Sequence, residues 1–179
     1  MSHTRANLLM LLASFIWGTA FVSQTTGMGA IGPFTFSFAR FFFALLTVLP
    51  LAIYFESHNI KKIFSNNKLL LLCCATGFAL FVGMGLQQYA LQKSQISNAA
   101  FLSTLYVPFV GILSRIIFKK QLHWFIWIAM LLCLYGSYLL SSNQSLDIQK
   151  SDSLLFIAAF FFAIHIILID IFMKELNSP

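Results

Sequence analysis

Charged side chains are scarce in this 179-residue sequence: Asp, Glu, Lys and Arg together make up 9% of it, and only five residues are acidic. Soluble domains carry charge on about a quarter of their residues, so this composition excludes a water-soluble globular fold. Of the acidic residues, only Asp170 falls inside a long apolar stretch. Acid–base or metal catalysis within a membrane needs more polar groups than that at one depth, which disfavours an enzyme.

Cysteine is also scarce, and its placement has no chemical pattern. Cys73 and Cys74 are adjacent and Cys133 is alone, so the sequence has neither a disulfide framework nor metal-ligand spacing. The GxSxG, HExxH and phosphate-binding-loop motifs are all missing from it. We therefore expect no cofactor and no metal, and a membrane-embedded enzyme is the weakest of the functions considered below.

Long hydrophobic runs dominate what remains, because hydrophobic residues make up 59% of the chain. A helix needs about twenty apolar residues to cross a hydrocarbon core of roughly 30 Å. Six such runs occur, at residues 7–24, 34–55, 69–90, 97–118, 123–140 and 153–173. None alternates apolar and polar residues as barrel strands do, so the sequence predicts an all-α protein with about six transmembrane helices in a lipid bilayer. The first run, preceded by Arg5, has some features of a secretory signal, but five further spans would keep the chain in the membrane.

The net charge of +6 is distributed unevenly between these runs. With a cytoplasmic N-terminus, the outer segments carry only Lys93 and Lys150, and the inner ones carry Arg5, Lys61, Lys62, Lys68, Arg115, Lys119, Lys120 and Lys174. The positive-inside rule then predicts a multi-pass protein of the cytoplasmic (inner) membrane with both termini in the cytoplasm, and it argues against nucleic acid as a partner. The predicted inner loops are 56–68 and 119–122, and the outer loops are 25–32, 92–96 and 142–152.

Arg40 is the most costly residue inside a predicted span. It lies about six residues into the second helix, roughly 9 Å from its start. A charge at that depth faces the bundle interior or a wet cavity, unless its long stem carries it back to the interface. Gln87 and Gln88 are predicted at a similar depth. We expect Arg40→Ala to impair assembly or transport more than Lys93→Ala, because Lys93 is in a predicted outer loop.

The fourth run has small, polar and special residues along one predicted face. They recur at spacings of three and four, as Ser97, Phe101, Thr104, Pro108, Gly111 and Arg115. Pro108 cannot donate to the carbonyl of Thr104, so an acceptor is freed near mid-membrane. The face could equally be a close helix-packing seam with a kink.

Three further residues fall near the middle of their helices, namely Trp17, Tyr106 and His165. Trp and Tyr normally prefer the membrane interfaces, so examples at mid-depth indicate an internal partner. His165 is the first candidate for proton coupling and Asp170 the second, although His165 could also be a hydrogen-bonded interior residue. The hypothesis is a small-molecule solute pathway lined by Trp17, Arg40, Gln87, Thr104, Tyr106, Pro108 and His165.

A short internal match relates the first and sixth runs. Residues 13–18 and 158–163 share the order small, small, aromatic, bulky, aromatic, small. If this match reflects a repeat, the unit has five helices, and an odd unit inserts its second copy upside down. The predicted domains are then one repeat at 1–146 and the first helix of a second, incomplete repeat at 147–179.

Several motifs together resemble the EamA-type members of the drug/metabolite transporter superfamily. They are Trp17-Gly18-Thr19 with Phe21, Gly32-Pro33 with Ala39-Arg40-Phe41, the stretch from Leu91 to Pro108, Trp127-Ile128, Gly136-Ser137-Tyr138-Leu139-Leu140, Ser151-Asp152-Ser153 and Ala163-Ile164-His165. The order of these motifs covers nearly the whole chain. A departure is Lys119-Lys120-Gln121, where the family usually has an acidic residue.

The resemblance implies a fold and a function. Members typically have ten helices in two halves with the substrate cavity between them, and they export or exchange small metabolites such as amino acids. A chain with six helices would then need a second copy (a homodimer) or another half-transporter to complete the cavity, or it would be a truncated transporter. The alternative is a non-transporting membrane scaffold or assembly subunit.

Overall fold

The computed structural model describes residues 3–94, 96–119, 123–142 and 150–177. All regular structure in these ranges is helical, which confirms the predicted all-α class. The helices are α1 (His3–Ile31), α2 (Pro33–Ser65), α3 (Asn67–Leu91), α4 (Ile96–Thr104), α5 (Tyr106–Phe118), α6 (Trp124–Ser142) and α7 (Lys150–Leu176).

Five apolar stretches in the described ranges are long enough to cross a membrane. They are Thr4–Ile31, Pro33–Ser65, Asn67–Leu91, Asn98–Phe118 and Ser153–Leu176, and a shorter apolar helix covers Trp124–Gly136. Large hydrophobic side chains point outward along them; Phe38, for example, is 71% exposed and Phe43 is 67% exposed. Such a surface is compatible with lipid and not with water, so this is an integral membrane protein.

The predicted outer loop at 25–32 is wrong, because α1 continues to Ile31. The hydroxyls of Thr25 and Thr26 both donate to the carbonyl of Val22 and so satisfy themselves within the helix. The chain turns at Gly32, whose φ of +78° favours glycine, and α2 begins at Pro33. The polar composition of this segment therefore marks the end of a helix and not a loop.

The predicted inner loop at 56–68 is also wrong for most of its length. Glu56 interrupts α2 with non-helical angles (φ −125°, ψ 25°), but the helix resumes and ends only at Ser65. Asn66 then caps α3, since its Oδ1 accepts from the amide of Lys68 at 2.9 Å and from that of Leu69 at 3.4 Å. Polar residues at 56–65 thus extend a kinked helix beyond its apolar part.

The fourth span is built from two pieces, α4 and α5, separated at Leu105. The amide of Leu105 bonds to the carbonyl of Leu102 at 3.2 Å, a tighter pairing than an α-helix has. The break lies one residue after Thr104 and three before Pro108, whose ring excludes a regular bond to the preceding turn.

Helix α7 has the most extensive packing, mainly against α3 and also against α5 and α4. Its small residues Ala158, Ala159 and Ala163 are buried, and the carbonyl of Ala158 lies beside Gly83, one of the buried small residues of α3 with Ala79. Small side chains let the two backbones approach closely. By contrast, α1 contacts chiefly α2 and, less, α4.

The polar end of the bundle joins segments that are distant in sequence. Lys62 on α2 donates to the carbonyl of Leu176 at 2.9 Å, and Lys68 pairs with Glu175 at 2.8 Å. The ammonium of Lys174 lies 4.2 Å from the centroid of the Phe118 ring at the end of α5. The ends of α2, α5 and α7 and the start of α3 therefore share one end of the bundle.

Candidate functional site

A cavity of about 400 Å³ lies between α1, α2 and α3. Most of its wall comes from one face of α1, where lining residues recur at every third or fourth position. The lining is Ala13, Ile16, Trp17, Ala20 and Gln24 from α1, Arg40 from α2, and Met84 and Gln87 from α3. The small side chains at 13 and 20 leave the space that the cavity occupies.

Arg40 provides the charge in this cavity. It lies about seven residues into α2, or ~10 Å from the start of that helix. Its Nη2 is buried with no hydrogen-bond partner among the described residues, and its Cζ lies 5.2 Å from the centroid of the Phe41 ring. A cation–π contact stabilises a guanidinium only partly, so an unmet donor at this depth is costly.

Two amides accompany Arg40. Gln24 is buried, and its Oε1 has no partner among the described residues. Gln87 is buried too, but its Nε2 donates to the hydroxyl of Ser103 at 2.8 Å, which ties the cavity to α4. Two residues of the lining therefore each carry a buried polar atom without a partner among the described residues, the donor Nη2 of Arg40 and the acceptor Oε1 of Gln24.

The remaining wall is apolar and wide. Trp17 is 68% exposed, and Ile16 and Met84 complete the lining beside it. An indole face offers a large surface against which an apolar or aromatic group can pack. The cavity is thus amphipathic, with polar groups from Gln24, Arg40 and Gln87 and an apolar remainder.

The structure brings three of the seven sequence-predicted pathway residues together in this cavity: Trp17, Arg40 and Gln87. Thr104, Tyr106, Pro108 and His165 are not among its lining residues. The hydroxyl of Thr104 donates to the carbonyl of Phe101 at 2.7 Å, within its own helix. Tyr106 begins α5 and is 37% exposed, and Pro108 follows on the same helix.

His165 lies at the interface of α7 with α3, where its Nδ1 is 2.9 Å from the carbonyl oxygen of Thr76. Asp170, one turn further along α7, pairs with Lys174 at 2.6 Å. His165 therefore bonds α7 to α3, the Asp170 pair lies within α7, and neither residue lines the α1 cavity.

Sequence reasoning missed Gln24 and Ser103. Gln24 closes the first predicted span and lies seven residues after Trp17, so a helical projection would have placed both on one face. Ser103 has no comparable signal, because its role depends on how α4 packs against α3. Within the described residues no group of three or more His, Cys, Asp or Glu side chains could hold a metal ion.

Comparison with known proteins places this arrangement in a family. The model of the EamA-like transporter family matches residues 4–142, a segment that contains every residue lining the cavity. The chain belongs to the EamA-like transporter family. It is therefore a member of a membrane transporter family, which points away from an enzyme.

One curated relative of this EamA-like chain is an "uncharacterized transporter" of Archaeoglobus fulgidus. The two are 28% identical over 174 residues, which is 97% of this chain and 51% of the relative. The chain thus spans about half the length of the relative it matches. No solved structure matches the chain.

Proposed function

We propose that this EamA-like chain forms part of the solute pathway of a transporter that exports or exchanges small metabolites such as amino acids. The observation that carries the proposal is the convergence of Arg40, Gln24 and Gln87 on one cavity that also holds Trp17. Buried polar groups without partners are unfavourable in a membrane protein, and they mark substrate pathways there. Export or exchange, and amino acids as an example, rest on the family resemblance.

The cavity needs a further surface to become a closed pathway. The α1 face that lines it is open, since Ile16 is 59% and Trp17 68% exposed. We propose that a second copy of this chain or another polypeptide covers this face. The fourth-helix residues Thr104, Tyr106 and Pro108, and His165 on α7, are proposed to contribute to the pathway in conformations that move α4, α5 or α7.

A topology proposal accompanies this function: both termini lie on the cytoplasmic side of the cell membrane. Its support is that the bundle end joining Lys62, Lys68 and Lys174 gathers the cations that the positive-inside rule assigns to the cytoplasm. Lys61 and Lys93 are matched reporters, because both are exposed. Lys61 lies near the end of α2 and Lys93 just after the end of α3, which runs back through the bundle, so the two lie at opposite ends of the bundle. In a Cys-free background, we expect an impermeant reagent applied outside intact cells to label Lys93→Cys and not Lys61→Cys. The reverse labelling would invert the topology.

Thiol accessibility tests whether the cavity carries water. Ala13→Cys, Ala20→Cys and Met84→Cys place thiols in the lining, and Leu11→Cys and Phe78→Cys place matched thiols on exposed faces of the same helices outside the lining. We expect a charged, membrane-impermeant thiol reagent to modify the three lining positions and spare the two controls, because a thiol facing lipid is not ionised. Unreactive lining positions in a properly inserted protein would contradict a solute pathway.

Solute flux separates a transporter from a membrane scaffold. Purified protein in liposomes loaded with an amino-acid mixture should exchange internal for external radiolabelled amino acids, and empty liposomes give the background. Ala13→Leu is the matched variant, because it adds volume to the cavity wall at an exposed position. Flux in the parent protein that Ala13→Leu abolishes supports the proposal. Background flux in both would contradict a pathway completed by a second copy of this chain.

A further inference from the structure

The unmet groups in the α1 cavity are chemically specific. Nη2 of Arg40 is a donor only, and a guanidinium keeps its charge in every protein environment. The ion pairs seen in the described residues involve other cations, namely Lys68 and Lys174. The described ion pairs leave Arg40 without a carboxylate, and an oxyanion is the group that would complete its guanidinium best.

Carboxylates and phosphates match the planar fork of a guanidinium better than any neutral acceptor does. Gln87 lines the same cavity, and its Nε2 already donates to Ser103, which fixes the orientation of the amide. Gln24 adds an unmet acceptor, which favours a ligand that also carries an N–H or O–H donor near its oxyanion. The polar part of the cavity thus selects for charge and for hydrogen-bonding pattern.

The apolar part of the cavity favours a ligand in which an apolar group, its body, is attached to the oxyanion, its head. Trp17, Ile16 and Met84 line the same cavity, together with the small residues Ala13 and Ala20. A cavity of about 400 Å³ is in the size range of sites that bind small organic molecules.

We infer that Arg40 binds the oxyanion head of a small amphipathic organic anion whose apolar body packs on Trp17, with Gln24 and Gln87 flanking the head. This inference rests on the proposed function and names the class of solute that the cavity recognises. The phosphate of an anionic lipid has the same oxyanion chemistry, so the experiment must distinguish the two sources.

Trp17 itself reports occupancy. In a variant with Trp124→Phe and Trp127→Phe, Trp17 is the remaining tryptophan, because the sequence has three. Phenylacetate serves as the anionic probe, with phenylacetamide and phenethylamine as probes of the same body and a neutral or cationic head. We expect saturable quenching of Trp17 by phenylacetate with an affinity about tenfold or more above that of phenylacetamide, from one charge-assisted contact. Equal affinities for the three probes would overturn the inference.

Substitutions at Arg40 assign the charge selectivity to one residue. Arg40→Gln should abolish the preference for phenylacetate over phenylacetamide, and Arg40→Lys should retain part of it as a point charge without the fork. Lys93→Gln is the control, because Lys93 is exposed and its ammonium lies 3.0 Å from the hydroxyl of Tyr89. Where Arg40→Gln fails to fold, Arg40→Lys keeps the test decisive, since an unchanged preference in it would place the selectivity outside the guanidinium fork.

Bilayer composition distinguishes a solute from a lipid. The titration is repeated in nanodiscs of phosphatidylcholine alone and of phosphatidylcholine with phosphatidylglycerol. Phenylacetate binding that is equal in both supports a solute site. Loss of binding with phosphatidylglycerol would identify the oxyanion as lipid phosphate and overturn the solute assignment.

Failure of the inference and failure of the proposed function give different results. Amino-acid flux without charge-selective quenching would support the proposed transport function and contradict the role of Arg40 as its anion contact. Charge-selective quenching without flux would leave the binding site standing and remove transport by this chain.

Discussion

Helices α1 and α7 contain the same short pattern of small and aromatic residues, at 13–18 and 158–163, but the structure uses it in two ways. In α7, Ala158, which corresponds to Ala13, is 1% exposed, and its carbonyl lies beside Gly83 of α3. In α1 the equivalent face is open, Ala13 lines a cavity and Trp17 is 68% exposed. The pattern therefore specifies a surface that permits close approach, which α3 makes to α7, and the proposed function assigns the open surface on α1 to a solute.

The two regions also differ in how their polar groups are satisfied. On the α7 side, His165 has the Thr76 carbonyl and Lys62 has the Leu176 carbonyl as partners. On the α1 side, Gln24 and Arg40 each keep a buried polar atom without a partner among the described residues. Gln88 on α3 and Asn98 on α4 also have such atoms, but these residues are not among the cavity lining. Proteins break local rules of polar satisfaction mainly where function requires it, so this comparison predicts that substitutions on the α1 side affect function more and substitutions on the α7 side affect stability more.

The largest difference between the two sides should appear when a small residue on each is replaced by leucine and the stability of the two variants is compared. A Cβ at position 83 would lie 2.9 Å from Cε1 of Phe162 and 3.4 Å from the carbonyl oxygen of Ala158. We expect Gly83→Leu to destabilise the protein by about 3 kcal/mol, since overpacking displaces α7 from α3. Ala13→Leu should change stability by less than about 0.5 kcal/mol, because its side chain enters open space. Unfolding in mixed detergent and SDS measures both.

Equal losses in the two variants would contradict the division into a packed and an open side. Equal, small losses would mean that α3 and α7 separate readily. Equal, large losses would mean that another segment fills the α1 cavity in the membrane.

Removing Arg40 should affect function without affecting stability. We expect Arg40→Ala to lower amino-acid flux about tenfold, the cost of one charge-assisted contact, and to unfold no more easily than the parent protein. The reason is that its Nη2 contributes no hydrogen bond within the described residues. Lys93→Ala should leave flux unchanged. A stability loss in Arg40→Ala as large as the flux loss would make Arg40 a structural residue.

Much of the fold follows from the sequence because membrane helices are determined by local composition. Apolar runs of sufficient length must be helical in lipid, and the six predicted runs all correspond to helices in the described ranges. The predicted loops at 25–32 and 56–68 were wrong because polar residues indicate that a segment leaves the apolar part of the bilayer. They do not indicate that the helix ends there. Thr25 and Thr26 satisfy themselves inside α1, and α2 passes a kink at Glu56 without ending.

The sequence predicted those site residues whose role follows from their depth in the membrane. Arg40 and Gln87 were expected together because each lies at a similar distance from a helix end, and both line the cavity. Gln24 and Ser103 depend on helix rotation and packing, which a single sequence does not specify. Pro108 indicated an interrupted fourth helix, but the position of the break at Leu105 depends on tertiary contacts.

His165 tests whether the α7 side is only structural. We expect His165→Leu to cost about 1 kcal/mol of stability through loss of the contact with the Thr76 carbonyl, and His165→Asn to recover most of it, because the Asn amide can occupy the Nδ1 position. Asn cannot take up a proton, so we expect flux driven by a pH gradient to fall in His165→Asn while counterflow exchange persists. Unchanged gradient-driven flux in that stable variant would restrict His165 to packing.

The smallest expected effect concerns the ion pair between Lys68 and Glu175, which joins α3 to the end of α7. The two side chains are 65% and 32% exposed, so water and salt screen their attraction. We expect Lys68→Gln to cost less than about 1 kcal/mol in 50 mM salt and nothing measurable in 500 mM salt, and the exchange Lys68→Glu with Glu175→Lys to restore the parent value. A loss of more than about 2 kcal/mol in the free energy of unfolding that persists in high salt would contradict this expectation. The ion pair would then stabilise the end of α7 as much as the buried alanines stabilise its middle. The packed side of the molecule would then depend on its polar end as much as on the small-residue contact with α3.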